Sequence, residues 1–297
     1  MHFAASLVGG IVGNHNVHLS VSEFTYQLKL FDPELVIVGA GDRLEETCNA
    51  ALERSLIEQN NGSTIFLRAP WSIEALFAMS INLGTNPGCT LDAVVDQKNH
   101  PYMLYFTSGT SGKPKGVVLN QTAISSHAVC TICEMRLNSH DIWLHVAPIF
   151  HLVDAFSVYA VTAVGGHHIL QAVFEASTTL RVIEREGITV LNLASTMVAL
   201  MCSQTTAENV HLDLSSLRML SCGGSPVVNN VVLQAIGLLC SEFFVSYGMT
   251  ECCGKICVSV LDSTARQNPN YQPNDHISAI CTSGRPFRIQ KLSLIHI

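Results

Sequence analysis

Charge is scarce in this chain: 13% of its 297 residues are Asp, Glu, Lys or Arg, against 48% hydrophobic, which excludes a disordered or highly solvated polypeptide. Basic residues are scarcer than acidic ones, 16 against 23, for a net charge of −7. No basic face is therefore offered to nucleic acid, and a phosphate ligand would have to be held by local groups. No run reaches the roughly 18 apolar residues needed for a membrane span. The apolar opening from Phe3 to Val12 has no Lys or Arg before it, so it lacks the start of a secretory signal, and its glycines suit a helix running into a turn. Eleven cysteines, odd in number and scattered, favour free thiols and an intracellular place, in the cytoplasm or an organelle, over a secreted disulfide framework. There is no Gly-x-Ser-x-Gly to build a serine-hydrolase elbow, no fixed-period repeat and no low-complexity tract.

What is present is an alternation of short apolar runs with helix-length amphipathic segments, which predicts an α/β fold of layered sheets flanked by helices. Ser20 and Glu23 have capping-box spacing, Phe24, Leu28 and Phe31 share a helical face, and Asp32-Pro33 stops that helix. A strand is expected at Leu35 to Val38, a helix from about Arg43 to Glu58, and a strand at Thr64 to Leu67. Later strands are expected at Met103 to Phe106, Ile142 to Val146, Val190 to Leu193, Leu217 to Leu220 and Phe243 to Val245, with a loop across Asn82 to His100.

The most informative segment runs from Tyr105 to Asn120 and contains Thr107, Ser108, Gly109, Thr110, Ser111, Gly112, Lys113, Pro114 and Lys115. Glycines let backbone amides approach an anion, the hydroxyls donate, and two lysines bring positive charge, a composition suited to polyphosphate. It is not a Walker A loop, because Thr107 stands where the first glycine belongs and Pro114 follows Gly112-Lys113. A Ser/Thr/Gly-rich turn alone is more often an ordinary hairpin loop. The whole string from Tyr105 to Val117, however, resembles the phosphate loop of the adenylate-forming (AMP-binding) superfamily of acyl-CoA synthetases, aryl-CoA ligases, luciferases and peptide-synthetase adenylation domains.

Downstream motifs match that resemblance in order. Pro148-Ile-Phe-His151 is similar to the family's proline-Phe-His motif, whose histidine lies near the acyl carboxylate; outside the series, His151 would read as a structural or solvent-facing histidine. Ser221-Cys-Gly223-Gly224-Ser225-Pro226 resembles the Gly-Gly-Ala-Pro loop lining the adenine and acyl pocket, and alone would read as a strand-to-helix turn with Pro226 in the first helical turn. Ser246-Tyr247-Gly248-Met249-Thr250-Glu251 closely resembles the Tyr-Gly-x-Thr-Glu motif, with Val245-Ser246 in place of the usual Gln-Gly. There the resemblance implies that Tyr247 lies beside the nucleotide, Thr250 offers its hydroxyl to phosphate and Glu251 binds Mg²⁺. Gly284-Arg-Pro286 matches a later family segment, and the likeness extends to about Arg288.

The resemblance implies that a carboxylic acid, fatty or aryl, attacks the α-phosphate of Mg-ATP to give acyl-AMP, which coenzyme A then converts to a thioester. No protein nucleophile is needed; alignment and charge neutralisation fall to His151, Thr250, Glu251 and Lys115 with the loop groups. Amino-acid-activating relatives carry Asp after the motif's Phe, and His151 here favours an acyl or aryl acid. Val153, Phe156, Cys222 and Met249 are candidate lining residues, although core packing explains them equally. The family's Thr-Gly-Asp segment and its small C-terminal domain with a catalytic lysine are not found, so residues 1–290 read as a partial AMP-binding domain, incomplete at both ends, and 291–297 as a tail of uncertain origin. Little or no turnover is expected of such a piece, and a non-catalytic nucleotide-binding or interaction module, a peptide-synthetase-type domain and an incomplete gene model stay open. Cys130-x-x-Cys133 has zinc-ligand spacing but lies in an amphipathic helix without a second pair and reads as structural thiols, while His167-His168, expected before a strand and without a nearby Cys or carboxylate cluster, reads as a solvated or packed pair rather than a metal site.

Overall fold

The computed structural model describes residues 2–7, 9–33, 35–38, 42–59, 65–66, 99–108, 112–207, 212–262 and 284–287. Two compact units, Met1–Val118 and Leu119–Ile297, divide the chain.

In the first unit, helix α1 (His2–Leu7) gives way at Gly9, which has positive φ, to strand β1 (Val12–Asn14). Helix α2 (Val21–Phe31) starts as the sequence predicts: Glu23 N donates to Ser20 Oγ, Ser20 N donates to Glu23 Oε2, and both halves of the capping box form. It ends at Asp32 in the left-handed conformation. Strand β2 (Leu35–Val36), helix α3 (Asp42–Gln59) and strand β3 (Ile65–Phe66) follow, with β2 and β3 parallel. Leu28 of α2 packs on Cys48, Ala51 and Leu52 of α3. The expected loop at 82–100 falls almost entirely outside the described residues. Strands β4 (Pro101–Thr107) and β5 (Lys115–Asn120) complete the sheet β1-β4-β5, in which β1 runs parallel to β4 with Val12 opposite Met103 and Asn14 opposite Tyr105.

The second unit continues with helix α4 (Gln121–Met135), capped by Asn120 Oδ1 accepting from Ala123 N at 2.7 Å. Then come β6 (Ile142–His145), α5 (Leu152–Ala163), β7 (His167–Leu170), α6 (Ala176–Glu186), β8 (Val190–Leu193) and α7 (Ser195–Ala207). They lead to β9 (Met219–Gly223), α8 (Asn229–Leu238), β10 (Glu242–Met249), a 3₁₀ turn Thr250–Cys252, β11 (Gly254–Asp262) and β12 (Arg285–Pro286). The sheet order is β12-β11-β10-β9-β8-β6-β7, parallel from β10 through β7 and antiparallel at β11 and β12. This is the α/β architecture expected from the alternation of elements. Strand β9 begins two residues later than predicted and runs on through Ser221 and Gly223, and β10 runs on through the whole Tyr-Gly-Met stretch, so both carry their motifs farther into the sheet.

Side chains alternate between the two faces of this sheet. Leu144, Leu191, Leu193, Leu220, Cys222, Phe243 and Val245 point to one face, where Leu180, Ile183, Val198, Met201, Val232 and Ile236 of α6, α7 and α8 close over them. Trp143, His145, Asn192, Ser221 and Phe244 point to the other, under α4 and α5. At the amino ends of the strands, Arg218 donates to both oxygens of Asp141 at 2.8 Å and ties β9 to β6. Burial alone would raise the Asp141 pKa, but the bonds from Arg218 and Thr189 outweigh it and hold the carboxyl low. The described cysteines are free, Cys130 buried and Cys133 exposed on α4. His167 and His168 open β7 rather than preceding it, and His168 is bonded to His145, which reaches a carboxylate at Asp154 that the sequence did not bring near. Among the described residues no helix is long and apolar enough to cross a membrane.

Candidate functional site

Parallel strands put their carboxyl ends on one edge of a sheet, where ligands of open α/β folds bind. At that edge of the second unit the chain delivers three of its motifs in turn. After β6, residues 146–151 lead into α5, and His151 occupies the N-cap position without a capping bond from its side chain. Its side chain faces outward, and partial burial still moves its pKa below the usual imidazole value, so the ring is neutral at pH 7.

Gly223 ends β9 opposite Ser246 of β10, which sets the Gly-Gly-Ser-Pro and Tyr-Gly-Met-Thr-Glu segments side by side. A Cβ on Gly223 would stand 2.5 Å from Ser246 Oγ, so only glycine allows this approach. Ser246 Oγ donates to Cys222 O at 3.2 Å, and Ser225 Oγ lies 3.3 Å from Ser195 Oγ at the start of α7. Gly224 faces Val153 of α5, whose Cγ2 would lie 3.6 Å from an added Cβ. Pro226 stays in the loop, because α8 starts at Asn229; this corrects the placement of that proline in the first helical turn.

Along β10 a register shift falls between Tyr247 and Gly248. Tyr247 and Met249 emerge 46% and 44% exposed, so neither is a packed core residue. Thr250 and Glu251 form the 3₁₀ turn that follows, with the Glu251 carboxylate exposed. Of the four candidate lining residues, Phe156 and Cys222 are enclosed in the core, which is the packing reading, while Val153 is half-buried in the first turn of α5 and Met249 is exposed at the end of β10. Mg²⁺ usually binds through one or two carboxylates plus substrate phosphate, so a single outward carboxylate at Glu251 fits it. Among the described residues there is no cluster of three metal-binding side chains of the kind a tightly held structural ion requires.

In the first unit, Thr107 ends β4, Ser108 is exposed, and Gly112 at φ +80° leads through exposed Lys113 to Lys115 at the start of β5, also exposed. Among the described residues nothing lies within 4 Å of a Cβ added at Gly112, and its positive φ favours glycine there. Tyr26 Oη donates to Pro114 O at 3.3 Å and pins the loop's exit. Gly109, Thr110 and Ser111 lie outside the described residues.

Beneath the strand ends lies a polar layer that motif reading missed. Asp154, fully buried in the first turn of α5, accepts from Trp143 Nε1 at 3.0 Å and lies 2.9 Å from His145 Nδ1. His145 Nε2 is 2.8 Å from His168 Nδ1, and His168 Nε2 is 3.0 Å from Thr162 Oγ1. Lys255 Nζ donates to Asn192 Oδ1 at 2.7 Å and to Ser221 Oγ. The available signal was a lone charge in an apolar run, Asp154 in Leu152–Ala163 and Lys255 ahead of the run from Ile256 to Leu261, since such charges are buried only when paired.

Three motifs thus converge on the carboxyl edge of a parallel sheet in an α/β domain. The chain belongs to the AMP-binding enzyme family, whose model matches residues 1–294. A 2-succinylbenzoate–CoA ligase of Arabidopsis thaliana is 26% identical over 285 residues, covering 89% of this chain and 48% of the relative. A feruloyl-CoA synthase of an Amycolatopsis species is 30% identical over 203 residues, covering 65% of this chain and 40% of the relative. The chain thus spans about half the length of these curated relatives, or less. In fold it is similar to a long-chain-fatty-acid–CoA ligase of Archaeoglobus fulgidus, with TM-score 0.76 and 18% identity over 96% of this chain and 54% of that one.

Proposed function

We propose that this chain binds a carboxylic acid and ATP for conversion to an acyl-adenylate, and that the full-length form passes the acyl group to coenzyme A. The observation that carries the reading is the register of Gly223 against Ser246, with Val153 beside Gly224, which gathers the His151, Gly-Gly-Ser and Tyr-Gly-Met-Thr-Glu segments at one sheet edge. Residues 1–290 form the AMP-binding part, and the thioester step belongs to the longer protein, in line with the 48% and 40% of its relatives that this chain spans.

The roles follow from chemistry at each position. Amides and hydroxyls of 107–112, with Lys113 and Lys115, neutralise phosphate charge. Gly223, Gly224 and Ser225 leave room for the adenylate against the backbone, and Ser246 to Met249 form the neighbouring wall. Neutral His151 stands where the acid's carboxylate is oriented, able to hydrogen-bond it without holding it as a fixed ion pair. Thr250 offers a hydroxyl to phosphate, and Glu251 would hold Mg²⁺, which when bound neutralises phosphate charge. An aromatic acid is the preferred substrate, because the two curated relatives are named for succinylbenzoate and ferulate, both of which carry a ring.

Calorimetric titration tests this with benzoyl-sulfamoyl adenosine, a non-hydrolysable mimic of an aroyl-adenylate, beside its fatty-acyl counterpart and AMP. The benzoyl mimic is expected to bind at least ~100-fold tighter than AMP, as expected when one ligand occupies both subsites. Equal affinity for mimic and AMP overturns acid recognition, and tighter binding of the fatty-acyl mimic overturns the aromatic preference. Lys115→Ala is expected to weaken Mg-ATP binding, and unchanged affinity removes that role.

A further inference from the structure

Lys255 is a buried lysine, 4% exposed, in a chain that has few charges to bury. Its ammonium donates to Asn192 Oδ1 at 2.7 Å and to Ser221 Oγ, with the Phe156 and Phe244 ring centroids 4.6 and 5.6 Å away. Each partner leads to a motif at the sheet edge. Asn192 turns its other end to α5, where Nδ2 donates to Val153 O at 2.6 Å, two residues beyond His151. Ser221 lies on β9 two residues before Gly223. Lys255 itself is the register partner of Gly248. One side chain thus reaches the Ser221–Pro226 and Ser246–Glu251 segments by a single bond or register step, and the chain beyond His151 by two hydrogen bonds through Asn192.

We infer that Lys255 is a positioning residue for the acyl-adenylate site, and that its protonation sets, through Asn192 and Ser221, the placement of His151 and of Gly223–Ser225, making adenylate affinity depend on pH. The inference rests on the proposed function for its ligand. An ammonium has three donors and no acceptor, so both Asn192 Oδ1 and Ser221 Oγ must accept from it; a neutral amine can instead accept from the Ser221 hydroxyl, which reverses that bond. Loss of the charge also weakens the Asn192 bond, and with it the hold on Val153.

The titratable groups around the ammonium come from three elements: His127 of α4, whose Nε2 is 2.9 Å from Lys255 O, Asp154 of α5 and Cys222 of β9. Burial moves Lys255 down to about 7, against the attraction of Cys222 and Asp154. Burial also moves His127 down to about 4 and Cys222 up to about 11, so both are neutral across the range where Lys255 changes charge. Asn192 of β8 and Phe244 of β10 contribute no charge. Asp154 leads on to His145 and His168, so comparison with variants is what assigns the effect to Lys255.

The test follows backbone amide signals of Val153, Asp154, Gly223 and Gly224 from pH 6 to 8.5, together with calorimetric affinity for benzoyl-sulfamoyl adenosine, in the wild type, Lys255→Met and Lys255→Gln. In the wild type the amides and the affinity are expected to change with a common midpoint near pH 7, the affinity by roughly tenfold, a usual size for coupling between sites. Lys255→Met should lose both changes, and Lys255→Gln, which keeps a neutral donor, should recover affinity but not its pH dependence. Static wild-type amides, or the same curve in Lys255→Gln, overturn the inference even if Lys255→Met does not fold. Failure of the mimic to bind at any pH overturns the proposed function instead, while the amide titration still decides whether Lys255 is coupled to the sheet edge.

Discussion

The two faces of the seven-stranded sheet are built on opposite principles. On one, Leu144, Leu191, Leu220 and Phe243 pack in a hydrophobic cluster with apolar side chains of α6, α7 and α8. On the other, Trp143, His145, Asn192, Ser221 and Lys255 are buried just as deeply, and each is held by a hydrogen bond to a named atom. An apolar face tolerates repacking if volume is kept, whereas a buried polar layer is stable only when its members are satisfied together. The specific face is the one that carries α5, and α5 begins at the residue after His151. A site that must hold its parts to a fraction of an ångström gains from being built on that face.

The contrast can be broken by substitution. Phe243→Ala on the apolar face is expected to cost about 3–5 kcal/mol in urea unfolding, from lost burial plus the cavity left behind. Asp154→Ala removes far less apolar surface, yet it strands the Trp143 and His145 donors, and a loss of about 2–3 kcal/mol is expected. A loss below about 0.5 kcal/mol would show that the polar face behaves like the apolar one.

pH sharpens the same comparison. Lys255 falls to about 7 in the folded chain from an ordinary 10.5, so between these values the unfolded chain holds a proton the folded one lacks. Its contribution makes stability rise with pH from about 7, by at most about 1.4 kcal/mol per pH unit. The thiols act oppositely. Burial raises Cys240 of the apolar face to about 12 and Cys202 to about 11 from 9, so their stabilisation is fully present below pH 9 and is lost as pH climbs towards their folded values. Unfolding midpoints are therefore expected to rise from pH 7 to about 8.5 and then turn down, and Lys255→Met should flatten the rise and steepen the fall, because the lysine's contribution runs on towards 10.5. The smallest effect is expected at Asn120→Ala, where loss of the α4 cap should cost about 1 kcal/mol in the same assay.

The apolar face and the local signals were legible in the sequence because their causes lie within a few residues. The Ser20–Glu23 box, the stop at Asp32 and the strand at Val190–Leu193 each depend on nearest neighbours or on a short run. The three edge motifs were legible through family resemblance, and the parallel sheet explains why they converge. The polar layer was not, because its bonds span the chain: Lys255 reaches Asn192 63 residues away and Ser221 34 residues away, and no periodicity records such a pairing. The strand at β9 was placed early for a related reason: Ser221 and Gly223 look like turn residues until Lys255 and Ser246 make their burial favourable.

The most direct test of the strand-edge site is a backbone amide map of the chain titrated with benzoyl-sulfamoyl adenosine. The account predicts that the largest shifts fall together at His151, Gly223 to Ser225 and Tyr247 to Thr250. Saturable binding that leaves all three segments unmoved would contradict it.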